Sequence, residues 1–421
     1  MVFMERGPIK RKLRNAFFWL SIIGPGIITA NVDNDAGGIT TYSLAGTVYG
    51  YSLLWTLVPI TLALIVVQEM VARMGAVTGK GLADLIREKF GVKATFYLLI
   101  GVLIANLANT VGEFAGVAAA GEVFGISKYI SVPLSAFLVW WLVVKGTYRA
   151  VEKVFLTACV FYVAYIISGF MEKPPWGEML RLTITPSFSF EPSYVTMLIG
   201  VVGTTIAPWM QFYLQSSIVE KGIKVSDYKY SRLDVVVGCF ATDIVAWFII
   251  VACAATLFKH HVQIETAKDA AVALRPLAGK YASALFAFGL FNASVFAASI
   301  LPLSTAYSIC EGLGWESGVD KKPTEAPWFY GLYFGLIFLG AGIVLYPNAP
   351  LILMMYLSQV ANGVLLPFIL IYIQLLINDQ KVMGNYVNSR WYNITAWVTT
   401  WVMIGLTILL VVTTFSPNIL G

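Results

Sequence analysis

Apolar stretches of roughly 18 to 25 residues recur from one end of this chain to the other, each able to cross a hydrocarbon core of ~30 Å. Eleven can be counted, at about 17–48, 51–72, 94–124, 129–149, 152–171, 194–218, 233–258, 281–310, 327–346, 350–377 and 393–415. Backbone N–H and C=O groups find no water in lipid, so segments of this length are expected as helices and not strands. The longest polar stretches, 172–193 and 259–280, are too short for a soluble domain and read as inter-helix loops. The expectation is an all-α membrane protein, one transmembrane domain spanning 1–421. The first apolar run follows a basic stretch, but it extends far past the apolar region of a cleavable signal peptide.

Composition agrees with the pattern. Hydrophobic residues make up 58% of the chain and charged residues 12%, about half the charge of a soluble domain. The net charge of +5 matters less than its distribution. With a cytoplasmic N-terminus and eleven crossings, 21 of the 28 Lys and Arg fall on inside segments. That bias predicts a multi-pass plasma-membrane protein with its N-terminus in and its C-terminus out, and nucleic acid is not expected as a partner. The four cysteines, Cys159, Cys239, Cys253 and Cys310, lie in apolar runs without a CxxC and read as small core residues. His260 and His261 sit together in an outside loop and read as solvated.

Two of the apolar runs are interrupted. The first reaches Val32, meets Asp33, Asn34, Asp35, Ala36, Gly37 and Gly38, and then becomes apolar again. Two acids, an amide and two glycines do not continue as a lipid-facing helix. The sixth contains Gly203, Thr204, Thr205, Ile206, Ala207, Pro208 and Trp209. Pro208 has no amide hydrogen, so the carbonyl of Thr204 loses its helical partner. These runs open two groups of five, about 15–171 and 194–377, with an extra helix at about 393–415. Broken helices at matching places in two halves are the mark of a carrier with its site at mid-membrane.

Ionisable groups within spans cost ~2.5–3.5 kcal/mol or more each, so they default to function. Asp33, Asp35, Glu113 and Asp243 look deepest, whereas Glu69, Glu122, Asp234 and Glu311 lie near helix ends and read as reaching the interface. Asp33 is either a second ion ligand or a hydrogen-bond acceptor for the broken backbone. Asp243 is either a residue on the ion's path or a buried acid held by a hydroxyl such as that of Thr242, and the second reading is preferred. Gln359 and Asn362 interrupt the tenth run. The donor inventory is therefore carboxylate, backbone carbonyl and amide oxygen, which suits hard cations such as Mg²⁺, Ca²⁺ or Mn²⁺. No nucleophile–base pair, Walker A loop or Rossmann fingerprint stands in a credible context, so no enzyme is expected.

Several separate segments resemble the NRAMP family of divalent metal transporters, in order along nearly the whole chain. They are Arg73-Met74-Gly75-Ala76-Val77-Thr78-Gly79-Lys80-Gly81-Leu82, Ser358-Gln359-Val360 through Leu366-Pro367-Phe368, and Met383-Gly384-Asn385-Tyr386-Val387-Asn388-Ser389-Arg390-Trp391. The resemblance implies a LeuT-type fold with eleven transmembrane helices, two inverted five-helix repeats, broken helices 1 and 6, and alternating access. Where the family carries Asp-Pro-Gly-Asn, this chain has Asp35-Ala36-Gly37-Gly38. Where it carries a carbonyl ligand and then Met-Pro-His, this chain has Thr204 and then Ala207-Pro208-Trp209. Glu113 matches an acid of the third helix, Thr110 stands where a second acid would, and Gln359 matches an amide of the tenth. The implied metal set is Asp35, Thr204, Gln359, Glu113, Gly38, Ala207 and Asp33.

The departures resemble those of the NRAMP-related magnesium transporters. A thioether favours transition metals, and Ala207 removes it. Small residues at 38 and 207 enlarge the pocket, which suits Mg²⁺, an ion that dehydrates reluctantly. Trp209 takes up no proton, and Thr110 replaces an acid. The expectation is a secondary carrier for Mg²⁺ and also Mn²⁺, uncoupled from protons, monomeric, with no cofactor and the bilayer and the ion as partners. The alternatives are a proton-coupled Mn²⁺ or Fe²⁺ symporter and a symporter for a small organic substrate on the same scaffold.

Overall fold

A computed structural model describes residue 29 and residues 32–145, 159–319 and 321–415, and every regular element among them is helical. In chain order these are α1 (Ala36–Tyr49), α2 (Leu54–Thr78), α3 (Leu82–Val123), α4 (Lys128–Lys145), α5 (Val163–Met171), α6 (Trp176–Ile184), α7 (Pro192–Thr205) and α8 (Pro208–Glu220). They continue with α9 (Tyr228–Thr256), α10 (Ala282–Leu313), α11 (Pro327–Val344), α12 (Leu351–Ile377) and α13 (Arg390–Phe415), with short helical turns between Ala267 and Tyr281.

Among the described residues, eight spans are long and apolar enough to cross a bilayer: α2, α3, the α7–α8 pair, α9, α10 with its lead-in, α11, α12 and α13. The apolar part of α4, Lys128–Val143, is shorter. The first and fifth runs lie partly outside the described residues, and α1 and α5 are their described portions. Five of the inside-segment charges counted above (Arg6, Lys10, Arg11, Lys12 and Arg14), with Arg149 and Lys153, also lie outside them, as does the side chain of Cys159. Within α3, Gly91 adopts φ 83°, ψ 167°, a conformation only glycine takes readily. It separates a short leading segment from the membrane part of the helix, which begins near the predicted residue 94.

The perimeter is apolar and the interior carries the polar groups. Phe96, Ile104, Phe137, Phe338 and Trp401 are exposed, whereas Asn106, Asn109, Glu113, Gln359 and Asn362 are buried. On a soluble protein such a surface would be an aggregation hazard; here it faces lipid. Since lipid tails are as apolar as leucine, helices associate through close van der Waals packing at small residues. α3 packs along α10 and α12, α12 packs on α7, and α9 holds α1 and α2. One close crossing is between α7 and α12, where a Cβ placed on Gly203 would overlap the backbone of Gln359 and lie 2.8 Å from the Cα of Gly363.

One polar tie joins distant parts of the chain. From α2, Arg73 donates to the carbonyls of Tyr386 (3.0 Å) and Val387 (3.1 Å), to the Asn388 side chain and to Glu69 (3.1 Å). Its guanidinium also stands 5.6 Å from the centre of the Tyr392 ring. Glu69 was expected at the interface; it is instead 3% exposed and paired with Arg73. The pairing is what permits a carboxylate there. Asp234 is likewise buried, and Glu311 accepts from Ser216 (2.6 Å); Glu122 is exposed, as expected.

Candidate functional site

The first break lies between Asp33 and Ala36. Helical residues Val32 and Asp33 give way to a turn at Asn34, and Asp35, in an extended conformation (φ −69°, ψ −173°), caps α1. Its Oδ1 accepts from the N–H of Gly38 at 2.6 Å and its carbonyl from the N–H of Ile39 at 2.9 Å. A carboxylate at an N-cap is favoured because the first N–H groups of a helix have no internal acceptor. The carboxyl of Glu113, on α3, lies beside that of Asp35, and its Oε2 accepts from the N–H of Ala36 at 3.3 Å. Two acids thus meet at the positive end of α1.

The second break lies between Thr205 and Pro208. Ile206 (φ −117°, ψ 57°) and Ala207 (φ −66°, ψ 138°) leave the helical region before α8 begins at Pro208. Its sequence cause is the one expected, a proline with no N–H to offer Thr204. The breaks touch: a Cβ built on Gly38 would come within 3.1 Å of Thr204 Oγ1. A bond between Tyr42 of α1 and Thr205 of α7 (2.7 Å between oxygens) ties the same two helices. Ala207 is buried in the second break, with its carbonyl accepting from Met210 N (3.2 Å) and Gln211 Nε2 (3.3 Å). The Gln359 carboxamide reaches α1 from α12, abutting Gly37.

Asp35, Glu113, Gly38, Thr204 and Gln359 are therefore brought together, all buried. Asp33 is directed elsewhere. Its Oδ2 accepts from the Thr242 hydroxyl (3.2 Å), which itself accepts from Asn34 Nδ2 at 2.6 Å. Tyr162 donates to the carbonyl of Asn34 at 2.6 Å. The expected acceptance from the broken backbone is not what the geometry gives: the Asp33 carboxylate accepts from a side chain of α9 and so anchors the break to that helix. The same contact corrects the partner expected for Asp243 and not its burial: Thr242 points to Asp33 and Asn34, and the hydroxyl beside buried Asp243 is that of Thr61. Asp243, one residue on, lines a crevice of about 190 Å³ between α2 and α9 with Leu57 and Thr61. His260 and His261 are exposed, and Cys239, Cys253 and Cys310 are buried free thiols.

Some polar residues at the site escaped notice in the sequence. Asn109 on α3 pairs with Asn362, which donates to Gln359. The clue was spacing: Asn106, Asn109 and Glu113 fall three and four residues apart in a mostly apolar run, hence on one face. Among the described residues, no three of His, Cys, Asp and Glu gather into a ready-made metal centre. The arrangement offers carboxylate, hydroxyl and amide oxygens and a proline-freed carbonyl around two helix ends.

The family model described as natural resistance-associated macrophage protein-like (Nramp) matches residues 26–413. The chain belongs to the Nramp family. Members of the Nramp family are metal-ion transporters, and the ion they move is substrate and not cofactor. The chain is similar to the divalent metal cation transporter MntH of Bacillus subtilis (strain 168), 24% identical over 417 residues, covering 96% of this chain and 95% of that one. It is 30% identical over 302 residues to the protein of the same name from Erwinia tasmaniensis, covering 69% of this chain and 72% of the relative. In three dimensions it resembles the crystal structure of the Eremococcus coleocola manganese transporter in complex with an aromatic bis-isothiourea substituted compound. The TM-score is 0.77 at 22% identity, over 99% of this chain and 91% of the other. A mutant of that transporter gives 0.78 at 20% identity, over 95% and 89%. The expected LeuT-type Nramp architecture is thereby established.

Proposed function

We propose that this Nramp protein moves divalent metal ions across the plasma membrane by alternating access, taking Mg²⁺ as well as Mn²⁺, without co-transporting protons. The observation that carries this reading is the meeting of two broken helices around Asp35, Thr204, Gln359 and Glu113, with Gly38 and Ala207 in place of larger ligands. Every donor there is oxygen. Without a thioether the pocket loses its preference for softer ions; the room expected at position 38 is taken up by backbone, since a Cβ on Gly38 would overlap the Asp33 carbonyl oxygen, so the case for Mg²⁺ rests on the missing thioether. Glu113, bonded to the N-terminus of α1, adds negative charge for attraction of the cation. We assign the metal set to Asp35, Thr204, Gln359, Glu113, Gly38 and Ala207, with Asp33 supporting from α9's side. The working unit is a monomer with repeats at about 15–171 and 194–377, N-terminus inside and C-terminus outside.

The names of the relatives favour a second reading, proton-coupled uptake of Mn²⁺. Uptake into proteoliposomes separates the two. On the first reading, excess Mg²⁺ competes with Mn²⁺, the lumen does not acidify, Asp35→Ala abolishes uptake, and Ala207→Met shifts preference toward Mn²⁺. Acidification in step with metal entry, or indifference to Mg²⁺, would establish the second. An Ala207→Met variant with unchanged relative uptake would remove Ala207 from the site.

A further inference from the structure

Gln359 does not stand alone. Its Oε1 accepts from Asn362 Nδ2 at 2.9 Å. The same nitrogen donates to Asn109 Oδ1 at 3.1 Å, and Asn109 Nδ2 donates back to Asn362 Oδ1 at 2.8 Å. The three amides join α12 to α3, and Asn109 lies one turn before Glu113. All three side chains are at most 1% exposed, so no solvent stands in for a lost bond.

A carboxamide has one accepting and one donating end, and only the oxygen serves a cation. The two asparagines satisfy each other reciprocally, so neither turns over without setting like ends against each other. In this arrangement Asn362 turns Nδ2 toward Gln359. With its oxygen held there, Gln359 presents Nε2 to α1 at Gly37 and bonds Ser358 Oγ at 3.2 Å. An ion arriving at Asp35 therefore faces the wrong end of the amide.

We infer that Asn109 and Asn362 are positioning residues that withhold the Gln359 oxygen until an ion competes for it. The inference rests on the reading of Gln359 as an ion ligand. The asparagine pair sets a threshold on capture and supplies the acceptor's resting place on release. It lowers affinity and speeds departure, which benefits a carrier more than tight binding does.

The test uses the full chain, Mn²⁺ as the probe, equilibrium dialysis for binding and proteoliposomes for transport. Replacing both asparagines by near-isosteric leucines (Asn109→Leu with Asn362→Leu) removes both ends of their mutual bonds and frees Gln359. One hydrogen bond's worth of competition is lifted, so the Mn²⁺ Kd is expected to fall about 3- to 10-fold, with the maximal uptake rate falling too. If that pair does not fold, Asn362→Ala carries the same expectation. In a Gln359→Ala background the substitutions should leave Kd within about two-fold. A purely structural role predicts weaker binding or none, never tighter. Unchanged or raised Kd, or the same shift in the Gln359→Ala background, overturns the inference and leaves the ligand assignment intact. A Gln359→Ala protein that binds Mn²⁺ like wild type overturns both.

Discussion

Replacing Gly203 with alanine adds one methyl where α7 crosses α12 backbone to backbone. That methyl would lie 2.8 Å from the Cα of Gly363 and nearer still to the Gln359 carbonyl. Carbon atoms rest about 3.5–4.0 Å apart, so α7 and α12 must separate by roughly 1 Å. Overpacking of this kind costs about 1–3 kcal/mol. The strain falls between Thr204 and Gln359, neighbours of the crossing on its two sides. Spent on the site, it weakens ion binding by about 5- to 140-fold; spent on packing, it lowers the melting temperature. Concentration-dependent Mn²⁺ uptake and thermal unfolding in detergent are measured together. Gly331→Ala is the control, because nothing lies within 4 Å of a Cβ there and alanine favours an α-helix over glycine by about 0.5–1 kcal/mol. Gly203→Ala protein with wild-type affinity and wild-type melting would refute the claim that this crossing holds the two site helices in register.

Arg73→Ala leaves Glu69 buried without its cation and should cost about 3–5 kcal/mol, read as loss of monodisperse protein. Arg73→Lys, which keeps the charge but cannot span both carbonyls, should melt between the two. Thr242→Val strips the hydroxyl that joins Asp33 to Asn34, costing about 1–3 kcal/mol and reducing uptake, while Thr242→Ser retains both. Beyond the end of α12, hydrogen bonds from Lys89 (2.9 Å) and the Lys381 N–H (2.8 Å) hold the Asp379 carboxyl below its usual range. A depressed carboxylate stabilises above its unfolded pKa and loses that as pH falls through its folded value. The melting difference between wild type and Asp379→Asn should accordingly be constant from pH 8 to 5 and close below about 3.9.

The architecture was legible because bilayer thickness imposes a length on every span, and a proline or a run of acids and glycines cannot hide in one. Both breaks fell where Asp33–Gly38 and Thr204–Pro208 placed them. Loop helices such as α6 carry no comparable constraint and were not foreseen. The site was legible for backbone effects and less so for side-chain direction. Nothing in the string of residues said that Thr242 would serve Asp33 rather than its neighbour Asp243, since that depends on how α9 is rotated against α1. Glu69 was misjudged for a related reason. Its partner four residues on, Arg73, was visible, but the carbonyls of Tyr386 and Val387 that complete the cage come from more than 300 residues away.

That cage limits how the molecule can open. Any motion drawing α2 away from the stretch before α13 would carry Arg73, still paired with Glu69, off the carbonyls of Tyr386 and Val387 and the Asn388 side chain that the guanidinium holds. The barrier to such a parting is far higher than for sliding greasy faces past one another. The final helix is thus bound at its leading end to α2, and the two must travel together.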